Sequence, residues 1–247
     1  MKILLTNDDG IHSRGLRALA KSLESIGDVW VVAPDREMSA ASHSLTLHRP
    51  LRIKEVVPQY YCVDGTPTDC ICLGVHKVLE ERPDLIVSGI NKGGNLASDI
   101  FYSGTVSAAR EGTMIGIPSF AISLASHKDF KFQTAARFAL RLAEYILDKG
   151  LPKGTFLNVN VPGGEINKEN PYRITEQGKR IHGGSIVEKV DPRGEKYYWF
   201  GNNHPGFEEI ANSDSQAIAE NSISITPLHL ELTDYSFMED LAAWVSK

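Results

Sequence analysis

What most constrains this chain is the order in which its apolar residues change spacing. Lys2-Ile3-Leu4-Leu5-Thr6 is a short apolar run stopped by polar residues, after which Leu16, Leu19, Ala20, Leu23 and Ile26 recur at helical spacing. The change then repeats. Residues 29–33 form a run that ends at Pro34, and 61–63 lead through Asp64-Gly65-Thr66-Pro67 into a helix reaching about Leu79. Residues 84–90 lead through a glycine-rich loop to a helix at 106–114, and 120–124 lead to an amphipathic helix at 135–147. Strands alternating with helices predict an α/β fold over residues 1–150, a Rossmann-like, mostly parallel sheet with helices on both faces.

After Gly150 the pattern changes. Residues 156–161, 172–176, 185–190 and 196–200 read as strands with little helix between them, so 151–247 is expected to be a smaller β-rich C-terminal segment. Asp191-Pro192-Arg193-Gly194 is a turn signal, which makes a hairpin arm of about 180–202. A strand at 222–226 and a terminal helix at 237–245 close the chain. Tyr197-Tyr198-Trp199-Phe200 place large side chains on both faces of one strand. Either the hairpin packs against its own domain or, since one domain surface easily covers only one face, a second copy of the chain covers the other, and the second is the expectation.

Composition excludes several classes of partner. With 26 Lys and Arg against 31 Asp and Glu, the net charge of -5 leaves no basic field to hold a long nucleic acid. No apolar run approaches the roughly 18 residues of a membrane helix, and the run after Lys2 is too short for a secretory signal. Cys62, Cys70 and Cys72 are few, odd in number and without metal-site spacing. They read as core residues of a cytoplasmic protein.

Three polar segments follow the expected strands. Asn7-Asp8-Asp9-Gly10 comes directly after the first, where ligands of parallel sheets bind. Two adjacent carboxylates there repel each other, which favours a bound cation or a raised pKa, although Asp-Asp-Gly alone is an ordinary turn with a helix cap. The loop 35–44 brings hydroxyls, a guanidinium and an imidazole; His43 and His48 read as packed or solvated histidines. Gly93-Gly94 lies in the loop after the strand at 84–90, and Ser103-Gly104-Thr105 opens a helix, whose N-terminus suits phosphate. No dinucleotide-binding glycine fingerprint, Walker motif, Gly-x-Ser-x-Gly elbow or Asp-x-Asp motif accompanies them. Metal-assisted hydrolysis of a phosphate ester by water is the chemistry left.

The opening Lys2-Ile3-Leu4-Leu5-Thr6-Asn7-Asp8-Asp9-Gly10-Ile11 resembles the start of the SurE family of survival-protein nucleotidases. Ala33-Pro34-Asp35-Arg36 with Ser39 and Ser42 to Leu47, Gly65-Thr66-Pro67-Thr68-Asp69-Cys70, Ser88-Gly89-Ile90-Asn91 and Tyr102-Ser103-Gly104-Thr105-Val106 continue the likeness. Asn158-Val159-Asn160-Val161-Pro162, Ser213-Asp214 and Ser224-Ile225-Thr226-Pro227-Leu228 extend it more sparsely. The resemblance implies a phosphatase of nucleoside 5'-monophosphates, with 3'-monophosphates and short polyphosphate as further substrates. It implies one divalent metal ion per subunit, Mg, Mn or similar, held by Asp8, Asp9, Ser39 and Asn91, and a homodimer or homotetramer.

In that reading Asn95, Ser103, Gly104 and Thr105 hold the substrate's phosphate oxygens. Asp8, Asp9 and Asn95 are the catalytic set; either Asp8 or Asp9 takes the water's proton, the reading favouring Asp9 as the more direct metal ligand and Asp8 as base. The alternative from another class is a nucleotide sensor without catalysis. The chain departs from the family pattern at Ala97 and in Glu220-Asn221, where Gly is usual, and this bears on the loop beyond Asn95.

Overall fold

The computed structural model describes residues 1–126, 128–181, 186–200 and 206–245. Its main sheet has nine strands: β1 (Lys2–Thr6), β2 (Asp28–Pro34), β3 (Ile53–Val57), β4 (Tyr60–Val63), β5 (Leu85–Lys92), β6 (Ser119–Ala125), β7 (Thr155–Pro162), β8 (Tyr172–Ile174) and β11 (Ile223–His229). The helices are α1 (Arg14–Leu23), α2 (Pro67–Leu73), α3 (Gly104–Met114), α4 (Gln133–Lys149), α5 (Asp214–Ala219) and α6 (Met238–Val245). β9 (Ile186–Val190) and β10 (Lys196–Phe200) pair antiparallel in a second, separate sheet.

Strand order in the large sheet is β3-β4-β2-β1-β5-β6-β7-β11-β8, with the run from β4 to β7 parallel. Alternation along β1 sorts the core into two layers. Ile3 and Leu5 pack with Leu16 and Leu19 of α1 and Ala139 and Ala143 of α4, whereas Leu4 packs with Ile71 of α2 and Ala108 of α3. Helices therefore cover both faces, as the alternating pattern predicts. β1 pairs with β2 on one side and β5 on the other, so the chain changes direction at β1, and in sheets of this kind ligands bind at the strands' carboxyl ends there.

The sheet does not stop at residue 150. β7 pairs parallel with β6, β11 pairs antiparallel with β7, and β8 pairs parallel with β11, so strands from both sides of that boundary share one sheet. Only the β9–β10 hairpin stands apart, and its expected ends at 182–185 and 201–202 lie outside the described residues. The helix expected to reach about Leu79 is α-helical only to Leu73 and widens into a π-turn, Gly74–Val78. Gly74 lies against β1, where an added Cβ would come 2.9 Å from Leu4 Cδ2. The two departures from the family pattern both take left-handed backbone, Ala97 at φ 51° and Asn221 at φ 57°. That conformation suits glycine best.

Candidate active site

Asp8 and Asp9 follow β1 after Asn7, at the end of the strand that lies beside β5. Gly10 makes the turn at φ 90°, and an added Cβ would meet the Arg36 carbonyl carbon at 3.1 Å. A side chain at Gly10 would therefore push away the loop that follows β2. That loop is pinned by the Met38 N–H, which donates to the Asp8 carbonyl at 2.7 Å, and by the Ser42 N–H, which donates to the Tyr102 carbonyl at 3.0 Å. Farther along, His43 Nε2 lies 2.8 Å from Glu111 Oε2, while Thr46 donates its N–H (3.0 Å) and hydroxyl (2.6 Å) to Asp69. His48 is exposed.

The two carboxylates are unequal. Asp8 is buried, and both its oxygens accept from Thr105, Oδ2 from the N–H at 3.1 Å and Oδ1 from the hydroxyl at 2.6 Å. Burial pushes its pKa up, against the pull of those donors. Asp9 is less buried, and Oδ2 accepts from the Lys92 N–H at 3.1 Å. Burial first, then the neighbouring Asp8 charge, pushes Asp9 up to about 6. Neither has an ion-pair partner among the described residues. Asp9 Oδ1 has no hydrogen-bond partner among the described residues, whereas both Asp8 oxygens accept from Thr105.

The remaining residues arrive from β2, β5 and α3. Ser39 is exposed on its loop and donates to Glu37 Oε1 at 2.7 Å. Asn91, at the end of β5, donates Nδ2 to the Gly93 carbonyl at 2.9 Å and so leaves Oδ1 free. Asn95 is buried, its side-chain Nδ2 donating to Ser123 Oγ at 2.8 Å. Ser103 caps α3, its hydroxyl oxygen accepting from the Val106 N–H at 3.0 Å. At Gly104 an added Cβ would lie 3.0 Å from Asp8 Cβ and 3.1 Å from Pro67 Cγ, so glycine lets the helix start close against the carboxylate. Thr105 is fully buried, and its N–H and hydroxyl both donate to Asp8.

Do these residues fit a divalent cation? A buried carboxylate pair with no cationic partner is costly unless a positive charge joins it, and Asp8, Asp9, Asn91 Oδ1 and the Ser39 hydroxyl are hard oxygen donors. They fit. No three His, Cys, Asp or Glu side chains gather as a metal cage among the described residues, so the set depends on neutral oxygens. The cysteines are free, and burial and Glu111 push the Cys72 thiol up to about 12, a poor ligand at neutral pH.

Sequence reasoning missed three residues that hold this site. Asn158 and Asn160 project from β7, and Asp214 caps the loop that follows Asn95. Polar residues at alternate positions of a buried strand, Asn158-Val159-Asn160, were the available signal.

Fold and site together define a doubly wound α/β protein that brings an acidic pair and a helix N-terminus together where the chain changes direction at β1. The chain belongs to the SurE family: the model of "Survival protein SurE" matches residues 3–183. It is 54% identical to 5'-nucleotidase SurE of Geobacter sulfurreducens over 245 residues, 99% of this chain and 94% of that one. It is 51% identical to 5'-nucleotidase SurE of Pelobacter propionicus over 246 residues, covering 99% and 100%. The crystal structure of the SurE protein from Aquifex aeolicus matches all of both chains with TM-score 0.88 at 40% identity.

Proposed function

We propose that this chain is a divalent-metal-dependent phosphatase that hydrolyses nucleoside 5'-monophosphates to nucleoside and phosphate, with 3'-monophosphates and short polyphosphate as further substrates. That it is an enzyme, a 5'-nucleotidase, follows from identity above half over nearly the whole length of relatives bearing that name. The observation that supports the metal dependence is the adjacent Asp8/Asp9 pair, one buried and one half-buried, with no ion-pair partner among the described residues, beside the start of α3.

Asp8, Asp9, Asn91 and Ser39 would hold Mg, Mn or a similar ion. When bound, the cation supplies Lewis acidity toward a phosphate oxygen and toward water. The chain's own residues supply position. Thr105 fixes the Asp8 carboxylate through two donors, and Lys92 N–H fixes Asp9 through one. The Gly104 N–H carries no hydrogen bond within the described residues, so with the Ser103 hydroxyl it is a donor free for a phosphate oxygen at the positive end of the helix. Asn95 completes the set from the β5 loop. Asp9, whose Oδ1 has no hydrogen-bond partner among the described residues, would take the proton of the attacking water.

The segment beyond residue 150 adds the assembly. No residue of β9 or β10 is buried, and Tyr198, Trp199 and Phe200 are exposed with Phe200 at 93%. We place these surfaces, with the unburied α6, between copies in a homodimer or homotetramer. No helix among the described residues is long and apolar enough to cross a membrane, and the sparse free cysteines support a cytoplasmic enzyme.

The deciding experiment is phosphate release from AMP after dialysis against EDTA, before and after adding Mg or Mn. Activity should vanish and return. Full activity in excess EDTA would overturn metal dependence, and AMP binding with no phosphate release under any metal would leave a sensor in place of an enzyme.

A further inference from the structure

Asn95 follows Gly93-Gly94, and nothing lies within 4 Å of where a Cβ on Gly93 would point. Gly93 itself is tied down, its N–H donating to the Leu124 carbonyl of β6 at 3.0 Å and its carbonyl accepting from Asn91 Nδ2 at 2.9 Å. Asn95 is held from β7. Asn160 contacts the backbone of Asn95 at two points, its Oδ1 accepting from the Asn95 N–H at 2.8 Å and its Nδ2 donating to the Asn95 carbonyl at 2.9 Å. Asn158, two residues earlier and so on the same strand face, donates to that carbonyl as well at 2.9 Å. Two residues on, the Ala97 N–H donates to Asp214 Oδ2 at 2.8 Å. Asn158, Asn160 and Asp214 are all fully buried.

A primary amide suits this task because it can accept from the N–H and donate to the C=O of one residue, as a neighbouring strand does. A carboxylate would lose the donor and add charge, and a hydroxyl would lack the second point of contact. The Asn95 side chain is separately fixed on Ser123, so main chain and amide are both set before a ligand arrives.

We propose that Asn160, seconded by Asn158, is a positioning residue of the phosphatase reaction: it clamps the Asn95 backbone so that the Asn95 amide meets the substrate phosphate in one orientation. This rests on the reading of Asn95 as a substrate contact. An amide displaced by about 1 Å costs up to a hundredfold in rate in well-oriented sites, so the clamp acts through geometry rather than contact.

The test is a double-mutant cycle on the whole protein with AMP and Mg, reading kcat, KM and inhibition by inorganic phosphate. Asn95→Ala and Asn160→Ser should each weaken phosphate inhibition and lower kcat/KM by roughly tenfold or more, as loss of oriented contacts does. The double variant should be no worse than Asn95→Ala, because once the Asn95 amide is gone the clamp has nothing to aim. A purely structural role for Asn160 would lower thermal stability and multiply with Asn95→Ala. If effects multiply, or Asn160→Ser keeps wild-type kinetics while Asn95→Ala does not, the clamp is refuted and the substrate contact stands. If Asn95→Ala itself keeps wild-type kinetics, the contact falls and the clamp with it. Should Asn160→Ser not fold by circular dichroism, Asn158→Ser, which removes one of the three bonds, replaces it in the same cycle and is judged by the same outcomes.

Discussion

Thr105 donates to both oxygens of Asp8, through its N–H at 3.1 Å and its hydroxyl at 2.6 Å, from the first turn of α3. A hydrogen bond to a charged acceptor contributes about 1.5–3 kcal/mol, so Thr105→Val, which keeps the shape and the N–H, should reduce turnover on AMP by about tenfold or more. Thr105→Ser keeps the hydroxyl and should restore most of it. Equal kcat in the Val variant and the wild type at saturating Mg would show that the hydroxyl does not set the Asp8 geometry.

Asp9 gives the site a pH signature. Its folded pKa of about 6 lies above the ordinary carboxylate value near 4, so between those values the folded state binds more protons than the unfolded state. Stability of the metal-free protein through this group is therefore greatest below pH 4 and falls as pH rises toward 6. Burial pushes Asp8 and Asp214 the same way, whereas the His43 bond holds Glu111 down and acts with opposite sign. Melting temperatures in EDTA at pH 4.5 and 7.5 isolate the Asp9 part when compared with Asp9→Asn, which should gain stability relative to wild type at the higher pH. Divalent metal should shrink that gain, and its affinity for the wild type should drop below about pH 6 as protons compete. A gain of the same size at both pH values would contradict the raised pKa.

Ala97 is a non-glycine residue in left-handed backbone, φ 51°, and its methyl is fully buried. Glycine relieves the backbone but removes a packed methyl, and these oppose each other at roughly 1 kcal/mol each. Ala97→Gly should therefore leave urea stability nearly unchanged. Ala97→Val adds β-branching where it is a genuine outlier and should cost about 2 kcal/mol or more, loosening the Asn95 loop as well. Ready tolerance of valine in urea titration would mean that this backbone is not held as described.

The parts of the fold legible in the sequence are those whose signal is local. β1, β2, β5 and β6 carry buried apolar runs, and α1 and α4 carry one apolar stripe each, so burial writes itself into spacing. β3 was silent because all five residues are exposed on an edge, where alternation carries no penalty. β7 and β11 were readable as strands but not as members of the large sheet, since pairing across some 60 residues leaves no trace in either segment. The site divides likewise. Asp8, Asp9 and Ser103 sit at strand and helix ends that the pattern locates, whereas the spending of Thr105 on Asp8 and the hold of Asn160 on Asn95 depend on distances across the sheet.

The hairpin arm carries the last expectation. Ile186, Val190, Tyr198, Trp199 and Phe200 are all more than half exposed, and a lone two-stranded sheet is marginal in water. The sequence alone left open whether the arm packs on its own domain. Here every residue of both strands is exposed, so that cover is absent among the described residues. α6 presents a second such surface, with Phe237 against Trp244 at 5.2 Å between ring centroids and no residue buried. A second copy with the same two surfaces can cover both, as a self-complementary contact does. Deleting residues 184–200 and closing the gap with a short Gly-Ser link should lower the mass seen by light scattering. Mg binding at Asp8 and Asp9 should persist, because no residue of that segment is among the donors. A deletion variant that keeps the parent's mass would make the arm an intrachain feature and return the assembly to another surface.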